Sequence, residues 1–355
     1  MTAASTSPAS AASADEPDMT PREVIKTISG LLIGMFVSIL AGTVVSTSLP
    51  IIIHDIGGDQ TAFTWVVTAT LLTTAIFTPI WGKLADLFNR KMLIQTAMII
   101  FVGATAIAGF AQDPGTMIAF RALQGVGAGG LAALGQILMA DVISPRERGR
   151  YMGLFGAIMA LGTVGGPLLG GVITDAFGWR WNFFVSIPFA IAAIWILHRT
   201  LHLPKHPRTK RHIDYLGMVL LSVSVSLILI WVTNAGKSYE WWSLETILMA
   251  GGGLVMAALF VVVELRSPEP LIPLTLFRNR TFTLAVIASI ATGIAMFGTS
   301  VYLSQYMQMA RGATPTEAGL LTLPMIFGLL LTSITAGQLI TKYGKWKPYM
   351  IAGSL

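Results

Sequence analysis

Gly162-Thr-Val-Gly165-Gly166-Pro167-Leu-Leu-Gly170-Gly171 decides how the chain is read. It sits inside an apolar run at residues 151–174 that is long enough to cross a membrane as a helix. Gly162, Gly166 and Gly170 recur every four residues and so share one helix face. A glycine face lets a second helix approach closely, and in lipid such packing is a main source of helix association. Pro167 removes a backbone donor and bends the helix beside the glycines. A flat, bent helix suits a seam between two helix bundles.

The surrounding composition supports the membrane reading. Of 355 residues, 54% are apolar and 11% charged, with mean hydropathy +0.71. Soluble domains carry about 25% charge. There is no cysteine, which excludes disulfides and thiolate metal sites. Residues 1–20 are rich in Ala, Ser, Thr and Pro and lack the basic start and short apolar core of a cleaved signal peptide. A disordered cytoplasmic tail is expected over 1–28.

Apolar runs of about 20 residues mark spans, because the hydrocarbon core is roughly 30 Å thick. Ten complete runs are read, near 29–50, 62–82, 92–111, 116–140, 151–174, 181–200, 214–234, 245–264, 282–307 and 317–340. An eleventh begins near Tyr349, and the sequence ends within it at Leu355. With the N-terminus placed in the cytoplasm, the inner segments hold 19 of the 23 Lys and Arg. The outer segments hold Arg180, Lys237 and Arg311, and Arg121 lies within a span. The asymmetry follows the positive-inside rule. The net charge of +6 is thereby accounted for by topology, and no nucleic-acid partner is expected. The segment 201–213 carries His202, His206 and His212 without ordered ligand spacing, so it is read as a basic linker rather than a metal site.

An internal repeat gives the domain plan. Gly82-Lys-Leu-Ala-Asp86-Leu-Phe-Asn-Arg90-Lys91 follows span 2, and Gly337-Gln-Leu-Ile-Thr341-Lys-Tyr-Gly-Lys345-Trp-Lys347 follows span 10. Repeated halves are a mark of transporters. The copies lie eight spans apart, not six, so two extra spans must separate the halves. The expected divisions are a six-helix bundle at 29–200, the linker, two extra central spans at 214–264, and the start of a C-terminal bundle at 265–355. A second half with six spans would bring the total to fourteen.

Other residues carry chemistry. Asp86 and Arg90 sit beside the inner end of span 2, where Gly82 permits close approach of neighbouring helices. Arg121 is the one charged side chain well inside a span, with Gln124 one turn on, and the pair reads as the wall of a polar cavity. In span 9, Met296, Tyr302, Gln305 and Met309 combine aromatic, thioether and amide groups suited to bulky apolar or cationic ligands. No Ser/His/Asp set, phosphate loop or ATPase domain is present, so an enzyme is not expected.

In order and placement these segments resemble the fourteen-span drug:proton antiporter branch of the major facilitator superfamily. The turn at 82–91 resembles that family's loop between spans 2 and 3. Arg121-Ala-Leu-Gln124-Gly125-Val-Gly127 resembles its span-4 motif, and residues 161–171 its antiporter motif. Gly178-Trp179-Arg180-Trp181-Asn182-Phe183-Phe184 resembles the usual start of span 6. Leu49-Pro50 and the 273–282 loop also fit.

The resemblance implies an all-α fold of two six-helix bundles plus two extra spans. It implies a conformational latch at Gly82, Asp86 and Arg90, and a role in proton coupling for Arg121. It also implies a seam at Gly162, Gly166, Pro167, Gly170 and Gly171 that packs on span 10. Two departures stand out: Asn89 replaces a glycine, and Ala41 replaces the acid of span 1. The expectation is a monomeric inner-membrane exporter of drug-like apolar or cationic compounds, in contact with lipid, driven by the proton gradient and without cofactor or metal. The alternatives are an exporter of an endogenous lipid, peptide or metabolite, or a truncated, non-transporting membrane fragment.

Overall fold

The computed structural model describes residues 21–143, 148–201, 214–236, 239–321, 323–344 and 347–354. The expected tail at 1–20 and most of the linker lie outside these residues. Among the described residues the fold is helical, with one isolated β-bridge between Ala235 and Tyr239.

Five long helices open the chain: α1 (Pro21–Asp55), α2 (Gln60–Leu87), α3 (Arg90–Ala108), α4 (Pro114–Val142) and α5 (Arg148–Phe177). The first begins eight residues before the expected span and takes in part of the expected tail. Pro21 suits this start, since its fixed φ is tolerated in a first helical turn. Asp59 and Asp113 cap α2 and α4 by accepting from the backbone of Ala62 and Thr116 at 2.8 and 2.9 Å. Asn89 caps α3, accepting from the Lys91 N–H at 2.9 Å with φ −65°. The departure from glycine at this position thus has a local reason: the turn needs a cap and no left-handed residue. In the repeat copy, Gly344 does take a left-handed φ of 66°.

Span 6 is two pieces, α6 (Trp181–Phe184) and α7 (Ser186–Thr200). Pro188 has no N–H for the Phe184 carbonyl, so the hydrogen-bond ladder is interrupted at this junction. The extra pair follows as α8 (Tyr215–Asn234), a short α9 (Leu244–Thr246) with a π turn at Ile247–Gly251, and α10 (Gly252–Arg266). A 3-10 turn at Leu274–Arg278 leads to α11 (Arg280–Arg311), α12 (Pro315–Leu321), α13 (Leu323–Tyr343) and α14 (Lys347–Ser354).

Eight helical segments of the described residues are long and apolar enough to cross a membrane. Shorter apolar stretches lie in α5 at Leu161–Phe177 and in α11 at Arg280–Ala295. A total of fourteen spans remains an expectation.

Glycine governs the packing of the first bundle. Helix α4 lies between α2 and α3 and presents small residues to both. A Cβ on Gly125 would overlap Thr73 Oγ1 and the Thr70 carbonyl of α2. One on Gly127 would sit 2.6 Å from the Phe101 nitrogen of α3, and one on Gly130 would sit 2.6 Å from Ala97 Cβ. The close approach lets α2 hydroxyls reach α4 carbonyls. Thr70 donates to Arg121 O at 3.1 Å, Thr73 to Ala122 O at 2.7 Å and Thr74 to Gly125 O at 3.2 Å. Trp81 Nε1 continues the row to Val126 O at 2.9 Å. Such bonds are favoured in lipid, where an unpaired polar group has no water to turn to.

At one end of the bundle, Gly178 adopts φ 89°, a conformation that favours glycine, and turns the chain from α5 into α6. The turn delivers Trp179 Nε1 to Asp55 Oδ2 at 2.8 Å and Arg180 to the same oxygen at 3.2 Å. The guanidinium lies 4.1 Å over the Trp179 ring. Nearby Asn182, fully buried, donates to Ser48 at 2.6 Å and Thr174 at 2.7 Å. Asp55→Ala removes the acceptor of both Trp179 and Arg180 and should lower stability by about 1 kcal/mol, below the full value of a charged hydrogen bond because the carboxylate is half exposed. Arg180→Ala, which leaves the Trp179 bond in place, should cost less. Thermal unfolding of the two variants in detergent compares them; an unchanged midpoint for Asp55→Ala would remove the clamp.

The pair α8 and α10 packs together and lies against α2. Ser224 donates to Gly253 O at 2.9 Å, and Thr68 and Thr233 hydroxyls meet at 3.4 Å. At the end carrying residues 82–91, buried Lys83 donates to Glu269 O at 3.2 Å and pairs with its carboxylate at 3.7 Å. Glu264 accepts from the N–H groups of Leu271 and Ile272 at 3.2 and 3.0 Å, folding that loop under α10.

Candidate functional site

A cavity of about 430 Å³ lies among α1, α2, α3, α4, α5 and α11. Its wall is mostly apolar, with Phe63, Leu71, Phe101 and Met159, and is interrupted by serine and threonine hydroxyls. Arg121, Gln124 and Tyr302 line it, and among the described residues no Asp or Glu does. The size and lining match small-molecule sites in general.

Arg121 is held inside rather than reaching for the surface. Its residue is 5% exposed and lies eight positions beyond the Asp113 cap, about 12 Å along the helix. Nη1 donates to Gln124 Oε1 at 2.6 Å, and Gln124 Nε2 donates to Thr105 Oγ1 at 2.7 Å. Thr105 in turn donates to Phe101 O at 2.7 Å. Three residues on α3 and α4 thus fix the guanidinium, while Nε is buried without a partner. Among the described residues no carboxylate pairs with it.

Of the three span-9 side chains described, one lies on the cavity wall. Tyr302 lines the cavity, together with Gly298. Gln305 donates to Gln60 Oε1 at 3.2 Å, and Met309 is 68% exposed. The helical rise explains the divergence: Met309 lies about 10 Å beyond Tyr302, past the cavity mouth. The Met296 side chain lies outside the described residues.

The glycine stretch of α5 has two partners. Gly162, Gly166 and Gly170 face α1, a helix of the same bundle. Their Cβ positions fall 3.0 Å from Ile39 Cγ2, onto Thr43 Oγ1, and 2.5 Å from Val44 O. Thr43 donates to Gly162 O at 2.8 Å across this contact. Span 10 meets the next face of α5. A Cβ on Gly171 would lie 2.6 Å from Pro315 O, and one on Gly319 would lie 2.9 Å from Pro167 O and Leu168 Cα. Thr316 donates from its backbone to Asp175 Oδ2 at 3.3 Å, and its hydroxyl bonds the same oxygen. Gln308 Nε2 donates to Thr47 O at 2.7 Å beside this contact. Pro167 and Gly171 meet the start of span 10, whereas the Cβ positions of Gly162, Gly166 and Gly170 have their nearest neighbours on α1.

At the 82–91 turn, Arg90 pairs with Asp86 at 3.9 Å, bonds Asp141 at the end of α4, and donates to Ala85 O at 3.1 Å. The turn is thereby tied to its own bundle. The close neighbour expected at Gly82 is absent among the described residues, since nothing lies within 4 Å of its Cβ position.

Sequence reading passed over Asp55, Asp141 and the hydroxyl wall of α2. The wall had a signal, because Thr70, Thr74 and Thr78 repeat at helical spacing in an otherwise apolar span. The two carboxylates had none, since each is defined by a partner far away in the chain.

A bundle of apolar helices around a buried, mostly apolar cavity, with a second group of helices seated against it, defines a polytopic membrane protein of the transporter kind. The profile of the Major Facilitator Superfamily matches residues 31–355, and the chain belongs to that family. It is 37% identical over 328 residues to the multidrug transporter protein MdtP of Bacillus subtilis, covering 92% of this chain and 60% of that protein. It is 32% identical over 318 residues to multidrug resistance protein 3 of the same organism, covering 89% and 61%. The chain thus spans about 60% of the length of these curated relatives. Among solved structures, a peptide transporter POT in complex with sulfate gives a TM-score of 0.60 at 17% identity, covering 90% of this chain and 69% of that one. The proton:xylose symporter XylE gives 0.59 at 13%, covering 91% and 70%. These likenesses establish the fold. The relatives are named as transporters, and an enzymatic reading is set aside.

Proposed function

We propose that the protein is a secondary active transporter of the inner (plasma) membrane, with a cytoplasmic N-terminus, that exports drug-like apolar compounds in exchange for protons. The observation that carries this reading is the 430 Å³ cavity, walled by apolar side chains and closed in by helices from both sides of the extra pair. One relative named as a multidrug transporter and one named as a multidrug resistance protein support the substrate class. The expectation of cationic substrates receives no support from the wall, because its one charged side chain is Arg121. Orientation rests on the distribution of Lys and Arg. The protein acts as a monomer surrounded by lipid, and its halves rock about the cavity while the contacts of Gly171 and Gly319 open and close. Arg121 takes part in proton coupling, and Asp86 with Arg90 secures one conformation.

Proteoliposomes test the reading. A lipophilic fluorescent dye should move in the direction opposite to an imposed pH gradient, and nigericin, which dissipates that gradient, should reduce the rate at least tenfold. Dye movement at an unchanged rate after nigericin would exclude proton antiport.

A further inference from the structure

The cavity contains a buried cation without an anion. Arg121 is 95% buried, and among the described residues its Nε has no acceptor and no carboxylate lines the space around it. The acids at the near helix ends are committed elsewhere. Asp55 accepts from Trp179 and Arg180, Asp59 from the Ala62 N–H, and Asp113 from Thr116. Gln124 provides a dipole to Nη1 but no charge.

A guanidinium in an apolar setting gains most from a planar or trigonal oxyanion, which can accept two of its donors in parallel. Several hydroxyls of the wall are already engaged as donors: Thr43 gives its proton to the Ile39 and Gly162 carbonyls, Ser46 to Gly42 O, and Thr74 to the Thr70 and Gly125 carbonyls. The rest of the wall, including Phe63, Phe101 and Tyr302, is suited to an apolar body.

We propose that this cavity selects amphiphilic organic monoanions, with the acidic headgroup paired to Arg121 and the apolar body lying between α1, α2 and α11. The inference rests on the cavity being the substrate site and adds the headgroup class to it. A compound with the same apolar body and a fixed positive charge is disfavoured, because the pinned guanidinium cannot swing out of the cavity. Arg121 acts here as the specificity-determining residue.

The test uses three probes with one apolar body: pyrenebutyrate, pyrenebutanol and pyrenebutyl-trimethylammonium. Each is titrated against the purified chain in phosphatidylcholine nanodiscs, with protein-free nanodiscs as the blank. The butyrate should bind at least tenfold tighter than the butanol, and the trimethylammonium compound weakest. Arg121→Gln should bring the butyrate to within about threefold of the butanol. Arg121→Lys, which keeps the charge without the fork, should keep part of the preference.

Equal binding of butyrate and butanol to the unaltered chain, or tightest binding of the cation, overturns the anion inference and leaves the cavity as the binding site. Absence of specific binding by all three overturns the inference together with the cavity reading beneath it. Where Arg121→Gln does not fold, the order of the three probes on the unaltered chain decides alone.

Discussion

Gly166→Leu is expected to reduce transport to background and to lower the yield of folded protein. A Cβ at this position falls on Thr43 Oγ1, and Thr43 has no room to yield. It is a buried, β-branched residue whose hydroxyl already spans α1 and α5 through the Gly162 carbonyl. A leucine must therefore push α1 and α5 apart over the length of the glycine face, and overpacking of this kind costs about 1–3 kcal/mol or more. The neighbouring Gly165 supplies the control. No atom lies within 4 Å of its Cβ position, so Gly165→Leu should keep normal yield and transport. Proteoliposome flux together with size-exclusion profiles compares the two. Equal behaviour of the two variants would show that the α1–α5 contact does not require glycine. Loss of folded protein is part of the expected result, because the contact lies within one bundle rather than between halves.

Gly125→Leu should have the largest effect on folding. Its Cβ would overlap the Thr73 hydroxyl and the Thr70 backbone carbonyl. Backbone cannot turn aside as a side chain can. Separating α4 from α2 would also break the bonds from Thr70, Thr73 and Thr74 to α4 carbonyls, each worth about 0.5–1.5 kcal/mol. The variant should give no monodisperse protein after extraction. A monodisperse peak with a thermal midpoint within a few degrees of the parent would mean that α2 and α4 can slide apart freely. Gly103 of α3, with open space around its Cβ position, should accept leucine without this loss.

Much of this architecture is written in local pattern. Run lengths locate most of the helices, and the placement of Arg121 one turn before Gln124 is enough to foresee a polar wall. Partners are harder, because they depend on angle as well as spacing. Successive residues on a helix lie about 100° apart, so Gly170 and Gly171 look at different neighbours although they adjoin in the chain. The four-residue repeat correctly groups Gly162, Gly166 and Gly170 on one face, but the sequence does not say that this face belongs to α1. The same geometry separates Tyr302 from Met309, which share a stripe yet not a cavity. The interruption in span 6 was visible in Pro188, whereas the ties made by Asp55 and Asp141 join residues 124 and 51 positions apart and leave no local trace.

The extra helices bear on kinematics. Thr233 of α8 meets Thr68 of α2, and Glu269, in the loop after α10, holds Lys83 of α2, so the pair is tied to the first bundle as to a frame. Under the proposed rocking, a rotation of the second bundle about that frame would be taken up in the short stretch ending at the 3-10 turn Leu274–Arg278. Val219, Leu254, Val255 and Leu265 are exposed on the pair, which gives the frame a wider lipid-facing perimeter.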